Sequence, residues 1–257
     1  MLPIFCIKPA NINYKEIWLI FPSEEALSVG CAEVSSVCVY GVVAECFVDL
    51  NFVVDSSGSV NYRNPNNWNL MLSFVANLTQ QFPVGPKDVQ VSFVRFGDYA
   101  NVEWGLTRYH DKATLLKAIV NVVYLDARTN LNRALFLTWS QIYAPGNGTR
   151  PGADMVSVIL TDGQDNMPTK LSPLMPTNAT ACKNMGIRLI AVGVTDSVDR
   201  ERLLSIVSSP FDYYAVAAFD DLGHIVNQMK PTICDITAAT VPSQDFSLCT
   251  STQNRIQ

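Results

Sequence analysis

The chain has 257 residues, of which 48% are hydrophobic, and its formal net charge is -5. This length suits one domain of about 200 residues with flanking segments, and the apolar content excludes general disorder because it is enough to bury a full core. The negative charge and the singly scattered Lys and Arg residues exclude a nucleic-acid-binding surface, which would need clustered basic side chains.

The first part of the chain is irregular, and we assign residues 1–45 to an N-terminal extension. No apolar run reaches the roughly 18 residues of a membrane-spanning helix, so no membrane span is expected. The longest run, residues 34–48, has two interpretations. It is either a buried segment of the extension or the core of a signal peptide ending at Ala44, whose small side chain suits signal peptidase. In the second case, residues 1–33 would reflect a start site chosen too far upstream.

From Cys46 onward, short apolar runs alternate with amphipathic stretches. The apolar runs predict buried strands at 47–54, 89–96, 102–106, 155–160, 187–194 and 213–216. The amphipathic stretches predict helices at 66–82, after Asp111 as N-cap, at 131–143, around 179–185, after Asp199 as N-cap, and at 219–230, ending near Pro231. Pro168, Pro173 and Pro176 mark a loop before the fourth of these helices.

This alternation predicts an α/β fold with a doubly wound, mostly parallel central sheet flanked by helices. The domain is expected to span residues 46–234. Residues 235–257 are polar and rich in Ser and Thr, which favours a tail or linker.

Three polar clusters lie between the predicted strands and helices. Residues 55–59 come directly after the first strand, Thr129 and Asn130 open the helix at Leu131, and residues 161–163 follow the strand that ends at Leu160. Because ligands of open α/β sheets bind beyond the carboxyl ends of the strands, these clusters are the candidate binding site.

The pattern Asp-x-Ser-x-Ser, then Thr-Asn-x-x-x-Ala-Leu, then Thr-Asp-Gly resembles the metal-ion-dependent adhesion site of von Willebrand factor type A domains. The likeness continues at residues 190–194, which resemble the family's fifth strand, and at 219–222, which resemble the entry to its last helix. It covers roughly residues 46–234 and implies a Rossmann-like fold. It also implies that a divalent cation is held by Asp55, Ser57, Ser59, Thr129 and Asp162.

These residue types suit Mg²⁺, with Mn²⁺ or Ca²⁺ as alternatives, because hard cations prefer oxygen ligands. Ser57, Ser59 and Thr129 offer neutral hydroxyls, while Asp55 and Asp162 supply negative charge, often through bound water as the resemblance implies. A cation held by neutral hydroxyls remains electrophilic and should attract an acidic residue of a protein partner. The resemblance makes collagen or another matrix protein a candidate partner.

A purely structural role is the alternative for the first cluster. Asp55, Ser57 and Ser59 could instead cap the first helix or shape a turn, since Asp and Ser favour such positions. Gly58 is expected to let the backbone turn tightly between the two serines.

The chain contains seven cysteines and no Cys-x-x-Cys pair, which disfavours zinc and favours oxidising surroundings. The resemblance implies a disulfide between Cys46 and Cys234 that joins the ends of the domain; two unrelated thiols are the alternative. Cys182, on an apolar helix face, is expected to be a small core residue. No partner is assignable to Cys6, Cys31, Cys38 and Cys249.

Three Asn-x-Ser/Thr sequons, at Asn77, Asn147 and Asn178, are candidate glycosylation sites, of which Asn147 in a Pro- and Gly-rich loop is favoured. No Ser or Cys nucleophile stands near His110, and His224 is expected on the surface of the last helix. Neither histidine therefore indicates catalysis.

The leading functional hypothesis is a secreted, divalent-cation-dependent protein-binding module of adhesion or matrix type, and not an enzyme. An intracellular type A domain of an assembly factor is the first alternative, although the flanking cysteines disfavour it. A metal-dependent hydrolase is the second. The chain lacks the G-x-G-x-x-G and P-loop motifs, and the first strand is not followed by the Asp-x-Asp spacing of metal phosphatases.

Overall fold

A computed structural model of the chain describes residues 46–163 and 174–234, together with the strands β1 (Ile4–Ile7) and β2 (Val37–Tyr40). These two strands pair antiparallel and belong to a separate unit of the chain. A second unit, which includes residues 46–163 and 174–234, holds the elements described below. The predicted tail and most of the signal-like segment lie outside the described residues.

The second unit is built on a six-stranded sheet in the order β5-β4-β3-β6-β7-β8. Its strands are β3 (Val48–Asp55), β4 (Gln90–Phe96), β5 (Ala100–Trp104), β6 (Asp154–Thr161), β7 (Arg188–Val194) and β8 (Tyr213–Val216). All neighbouring strands are parallel except β5, which runs antiparallel to β4 at one edge. The prediction of a mostly parallel sheet is confirmed.

Helices cover both faces of this sheet. They are α1 (Gly58–Tyr62), α2 (Asn67–Gln80), α3 (Lys112–Val120), α4 (Leu131–Leu137), α5 (Leu174–Asn184), α6 (Arg200–Ile206) and α7 (Leu222–Cys234). Side chains of β3 alternate between two hydrophobic clusters, since Phe52 packs with α2, α3 and α7, whereas Val53 packs with α4, α5 and α6. The sheet is therefore buried on both sides, which explains why its strands are continuous apolar runs.

Two predicted N-caps are confirmed. The Asp111 carboxylate accepts a hydrogen bond from the Thr114 N–H (2.8 Å), and the Asp199 carboxylate accepts one from the Arg202 N–H (3.0 Å). The edge strand β5, however, begins two residues earlier than the predicted 102–106. Its pairing with β4 sets its bounds, because Phe96 lies opposite Ala100 across a tight turn.

The predicted helix 131–143 is interrupted. It is α-helical as far as Leu137 and continues as a π-helical turn, Thr138–Ile142, in which the Tyr143 N–H donates to the Thr138 carbonyl (3.0 Å). The Tyr143 hydroxyl lies within hydrogen-bond distance of the carbonyls of Asp49 (2.8 Å) and Val156 (2.6 Å). These buried contacts come from distant strands, so the apolar periodicity of the helix gives no sign of them.

Two prolines predicted to lie outside helices lie inside them. Pro176 is in the first turn of α5, where a missing N–H costs nothing because the first N–H groups of a helix have no partner within it. Pro231 lies inside α7, which continues to Cys234. The last turn of α7 is held from outside, because Arg188 Nη1 donates to the Thr232 carbonyl (2.8 Å).

A disulfide bond lies at the end of the sheet where the parallel strands begin. Cys46 and Cys234 form the predicted disulfide, with their Cα atoms 5.0 Å apart. Cys182 is fully buried, and burial raises the pKa of its thiol to about 12, as suits a small core residue. Within residues 46–163 and 174–234, no helix combines the length and the apolar character that crossing a bilayer requires.

Candidate functional site

The carboxyl ends of β3 and β6 form the crevice at which the sheet changes direction. From β3 the chain moves outward to β4 and β5, and from β6 it moves the other way to β7 and β8. Asp55 is the last residue of β3, and Asp162 directly follows β6. Because these strands are adjacent, both carboxylates lie at the switch point where ligands of open α/β sheets bind.

A chain of oxygen atoms runs through the predicted site. The hydroxyl oxygens of Ser57 and Ser59 are 3.0 Å apart, and the Ser59 hydroxyl donates to Oδ1 of Asp162 at 2.9 Å. Asp55 Oδ1 accepts from the Ser57 N–H at 2.9 Å. Thr129 lines the same cavity as Ser59 and Asp162, and is itself buried. The structure thus brings Ser59, Thr129 and Asp162 together at one cavity, and hydrogen bonds link Ser57 to Ser59 and Asp55 to Ser57.

Capping of α1 does not explain Ser57, whereas the bond from the Ser57 N–H to Oδ1 of Asp55 is the turn-shaping contact expected of an Asp at this position. Ser57 occupies the N-cap position of α1, but its side chain makes no capping hydrogen bond and its hydroxyl contacts Ser59 instead. The predicted reason for Gly58 is wrong, because Gly58 is not among the residues with a left-handed backbone. A Cβ atom there would lie 3.0 Å from Oδ1 of Asp126, and the Gly58 N–H donates to the Ala127 carbonyl (2.7 Å). A side chain at position 58 would therefore require the Asp126 carboxylate to shift by a few tenths of an ångström.

That loop, between α3 and α4, fixes the first cluster and carries Thr129. The Tyr124 hydroxyl donates to the Ser57 carbonyl (2.7 Å), and the Leu125 N–H donates to the Ser56 hydroxyl (2.7 Å). Asp126 adopts a left-handed backbone conformation with φ of 54°, which is uncommon outside glycine. The strained turn brings residues 126–129 against the start of α1.

Sequence reasoning missed three supporting residues. Thr161 donates its hydroxyl to Oδ2 of Asp55 at 2.5 Å, and it could have been suspected because it adjoins Asp162 in the third cluster. Ser56 lies inside the first cluster. Tyr124 is 67 residues from Ser57, and no local pattern marks it.

Both carboxylates of the site are buried without a compensating positive charge. Burial, together with the nearby Asp162, raises the pKa of Asp55 to about 7, although hydrogen bonds from Thr161 and Ser57 oppose this rise. Burial also raises the pKa of Asp162 to about 6, against the opposing effect of the Ser59 hydroxyl. No Lys or Arg in the described residues contributes to lowering the pKa of either group. The site therefore favours an incoming cation.

The site opens into a cavity of about 450 Å³. Besides Ser59, Thr129, Asp162 and Gly163, its walls include Tyr62, Arg63, Asn67, Thr195, Ser197 and Phe219. Thr195 has a left-handed backbone with φ of 68°, so the only two non-glycine residues with positive φ in the described part of the chain, Asp126 and Thr195, both adjoin the site. Strained backbone of this kind is concentrated at binding sites.

The remaining candidates lie elsewhere. Asn77 and Asn147 are exposed. Asn178 is half-buried, and its side-chain amide bonds to Oδ1 of Asn132 (2.7 Å) and to the Trp139 indole N–H (3.0 Å). His110 is exposed, and His224 is 81% exposed at its side chain.

Comparison of the sequence with known proteins agrees with this fold and site. The sequence profile of the von Willebrand factor type A domain matches residues 49–228. Matrilin-1 of Homo sapiens is 29% identical over 188 residues, which cover 72% of this chain and 36% of matrilin-1. The collagen alpha-1(XII) chain of Notophthalmus viridescens is 30% identical over 191 residues, 73% of this chain and 19% of that protein.

A solved structure gives the same result. Proximal thread matrix protein 1 from the mussel byssus, in a structure described as having a zinc-occupied MIDAS (metal-ion-dependent adhesion site) motif, is 28% identical with a TM-score of 0.67, over 75% of this chain and 47% of that one. This chain spans only about a third of the length of matrilin-1. With the fold, the crevice and the profile in agreement, the chain belongs to the von Willebrand factor type A domain family.

Proposed function

We propose that the domain is an extracellular, divalent-cation-dependent protein-binding module of adhesion or matrix type. In this proposal the cation is held by Asp55, Ser57, Ser59, Thr129 and Asp162. The clustering of oxygen donors carries the proposal: the Ser57 and Ser59 hydroxyl oxygens are 3.0 Å apart, the Ser59 hydroxyl is 2.9 Å from Oδ1 of Asp162, and no basic side chain in the described residues compensates the two buried carboxylates. Hard divalent cations such as Mg²⁺ prefer oxygen ligands of this kind.

The donor set suits Mg²⁺, with Mn²⁺ or Ca²⁺ as alternatives, because these cations all accept oxygen ligands. The donors are hard oxygens, and among the described residues no group of three or more His, Cys, Asp or Glu side chains could hold a metal ion. The hydroxyl groups of Ser57, Ser59 and Thr129 are therefore essential to the proposed site, because two carboxylates alone would not complete it.

The chemistry at this site follows from its charges. A bound divalent cation would supply Lewis acidity toward an oxygen anion. Ser57, Ser59 and Thr129 bring no charge, so the only negative charge comes from Asp55 and Asp162. Their hydrogen bonds to Thr161, Ser57 and Ser59 hold the oxygens in place before any ligand arrives. The site is thus suited to take up a carboxylate from a protein partner.

Three observations support an extracellular, non-enzymatic role with a matrix protein as partner. The relatives include matrilin-1 and a collagen chain. The Cys46–Cys234 disulfide suits an oxidising compartment. The Asn77 and Asn147 side chains are exposed, although the Asn147 amide donates to the Gln141 carbonyl (2.6 Å), whereas Asn178 is half-buried and bonded to Asn132 and Trp139. We therefore propose a secreted domain that binds collagen or a similar matrix protein.

Titration calorimetry with Mg²⁺ and Mn²⁺ tests the metal site. The wild type should show one site, and both Ser59→Ala and Asp162→Ala should abolish it while leaving the fold intact. Ser197→Ala is the matched control, because Ser197 lines the same cavity but is not a proposed ligand. Wild-type metal affinity in Ser59→Ala and Asp162→Ala would overturn the assignment.

Binding to immobilised collagen tests the partner. We expect binding in Mg²⁺ that is lost with a chelator and in Asp162→Ala. If the metal binds but collagen does not, the metal site stands and the choice of collagen is wrong.

A further inference from the structure

We propose that Arg63 is a second anchor beside the metal site, and that the partner segment is an extended peptide carrying two acidic side chains, one for each anchor. This inference rests on the proposed function, since the first acidic group would be the one taken up at the cation. It assigns the second group to the Arg63 guanidinium, with Tyr62 as an aromatic contact on the rim.

The helical geometry of α1 places the two anchors side by side. Ser59 lies in α1, and Arg63 follows four residues later with helical backbone angles, φ -92° and ψ -28°. Residues four apart on a helix lie on the same face, with Cβ atoms about 5–6 Å apart. Both Ser59 and Arg63 line the same cavity. Arg63 is therefore one helical turn from Ser59, a proposed metal ligand, on the face that is open to solvent.

The positive charge of Arg63 has no partner within the described residues. Arg63 is exposed, and no hydrogen bond or ion pair joins it to any side chain or carbonyl in 46–163 or 174–234. It is the only basic residue that the described residues contribute to the cavity wall, where its neighbours include the neutral Asn67, Thr195 and Ser197. A guanidinium is always charged, and its planar fork matches a carboxylate.

Tyr62 supplies the apolar part of the same surface. It lies three residues after Ser59 in α1, and it is 86% exposed. Among the described residues it makes no ring contact, in contrast to Tyr109 and Tyr124, which pack against tryptophans. Tyr and Arg are the residue types that most often dominate binding energy at interfaces. An exposed pair of them beside a metal site fits recognition better than it fits folding.

The spacing of the two anchors limits the partner. Because the Cβ atoms of Ser59 and Arg63 are about 5–6 Å apart and both side chains line the same cavity, acidic groups bound to them side by side would be separated by a similar distance. An extended chain rises about 3.3 Å per residue and points alternate side chains to the same side. The matching segment is therefore acidic, any residue, acidic, in extended conformation.

The test uses four fluorescein-labelled peptides: Gly-Glu-Gly-Glu-Gly, its two versions with one Glu replaced by Gln, and the version with both replaced. Affinity is measured by fluorescence anisotropy at saturating Mg²⁺. The wild type should bind the doubly acidic peptide about five- to tenfold more tightly than either singly acidic one, which corresponds to one partly desolvated ion pair. Arg63→Gln should remove this preference, whereas Arg108→Gln, at an exposed arginine that does not line the cavity, should keep it.

Calorimetry with Mg²⁺ alone separates the two proposals. Absence of Mg²⁺ binding in the wild type would overturn the proposed function itself. If Mg²⁺ binds normally but the wild type does not prefer the doubly acidic peptide, or Arg63→Gln keeps that preference, the second anchor is wrong and the metal site stands. If a heparin oligosaccharide displaces the peptide and its own binding depends on Arg63, the rim recognises a sulfated glycan, and the peptide assignment is overturned.

Discussion

Two fully buried aspartates lie near opposite ends of β3 and are treated differently by the fold. Asp49, near the amino end, accepts hydrogen bonds from the Arg150 backbone N–H and from its Nε, both at 2.8 Å. Arg150 is itself held, since its guanidinium donates to the Val48 carbonyl (2.8 Å) and lies over the Phe47 ring. Asp55, at the carboxyl end, receives hydrogen bonds only from uncharged groups and has Asp162 nearby.

The difference separates a structural end of the strand from the proposed binding end. A buried charge is tolerated only when it is paired and hydrogen-bonded. At the amino end the chain supplies the compensating cation from its own arginine. At the carboxyl end it supplies neutral donors and a second carboxylate, as expected where the compensating cation comes from solution. The two ends can therefore be perturbed separately, and the responses should differ in sign.

The largest effect is expected from Arg150→Met, which leaves Asp49 buried and unpaired. Removing one partner of a buried ion pair costs about 3–5 kcal/mol, and urea denaturation would measure this loss of unfolding free energy. Arg108→Met, at an exposed arginine, is the control and should change little. The double variant Asp49→Asn/Arg150→Met should recover part of the loss. A loss no larger than that of the control would show that the pair contributes little.

Removing the disulfide should have the next largest effect. Cys46→Ala/Cys234→Ala opens a link between residues 188 apart in sequence. A lost native disulfide typically costs about 2–5 kcal/mol, read as a lower melting temperature. Mg²⁺ affinity should stay unchanged, because the disulfide lies near the amino ends of the strands and the proposed metal site lies at their carboxyl ends. A matching loss of metal affinity would show that the two edges are coupled.

Asp55→Asn should stabilise the metal-free protein, by roughly 1–3 kcal/mol at pH 8, because it removes an uncompensated buried charge. The same substitution at Asp49 should destabilise, since it leaves Arg150 without its anion. Denaturation of both variants in chelator gives the comparison. In saturating Mg²⁺ the advantage of Asp55→Asn should disappear, because wild type alone gains stability from binding. Stabilisation by both substitutions would contradict the distinction between the two ends.

The same carboxyl group gives a pH dependence. Because the folded-state pKa of Asp55, about 7, lies above its ordinary value of 3.8, the folded protein retains a proton that the unfolded chain releases. This contribution to stability is fully present below about pH 4 and is lost as pH rises through about 7. Wild type in chelator should therefore lose unfolding free energy across that range, and Asp55→Asn should lose less. Equal slopes for the two proteins would exclude Asp55 as the source.

The smallest effect concerns the end of α7. The Tyr214 hydroxyl lies 2.7 Å from Oγ1 of Thr232, beside the bond from Arg188 to the Thr232 carbonyl. Tyr214→Phe should cost about 0.5–1.5 kcal/mol of unfolding free energy and leave metal binding unchanged. Tyr213→Phe, which removes the hydroxyl of the preceding residue, is the control. If Tyr214→Phe costs more than 3 kcal/mol, the last turn of α7 depends on this bond far more than its half-buried position suggests.

Local sequence patterns indicate the proposed binding end of β3, whereas no such pattern marks the structural end. Residues 55–59 and 161–163 are recognisable in the sequence because each is a polar cluster at the end of an apolar run. A parallel sheet brings such clusters together at the carboxyl ends of its strands. The Asp49–Arg150 pair joins residues 101 apart and has no local pattern, so only the register of β3 against β6 reveals it. The sequence also did not predict that α7 continues past Pro231, because the contacts that hold its last turn come from the distant strands β7 and β8.

The disulfide also decides how the domain would carry a mechanical load. The Cα atoms of Cys46 and Cys234 are 5.0 Å apart, so the chain enters and leaves the domain at nearly one point. A pull applied to the segments before residue 46 and after residue 234 would pass through a single covalent bond. The sheet, and the crevice at the carboxyl ends of its strands, would bear almost none of that tension. A partner held at the crevice could then stay bound while the surrounding chain is stretched.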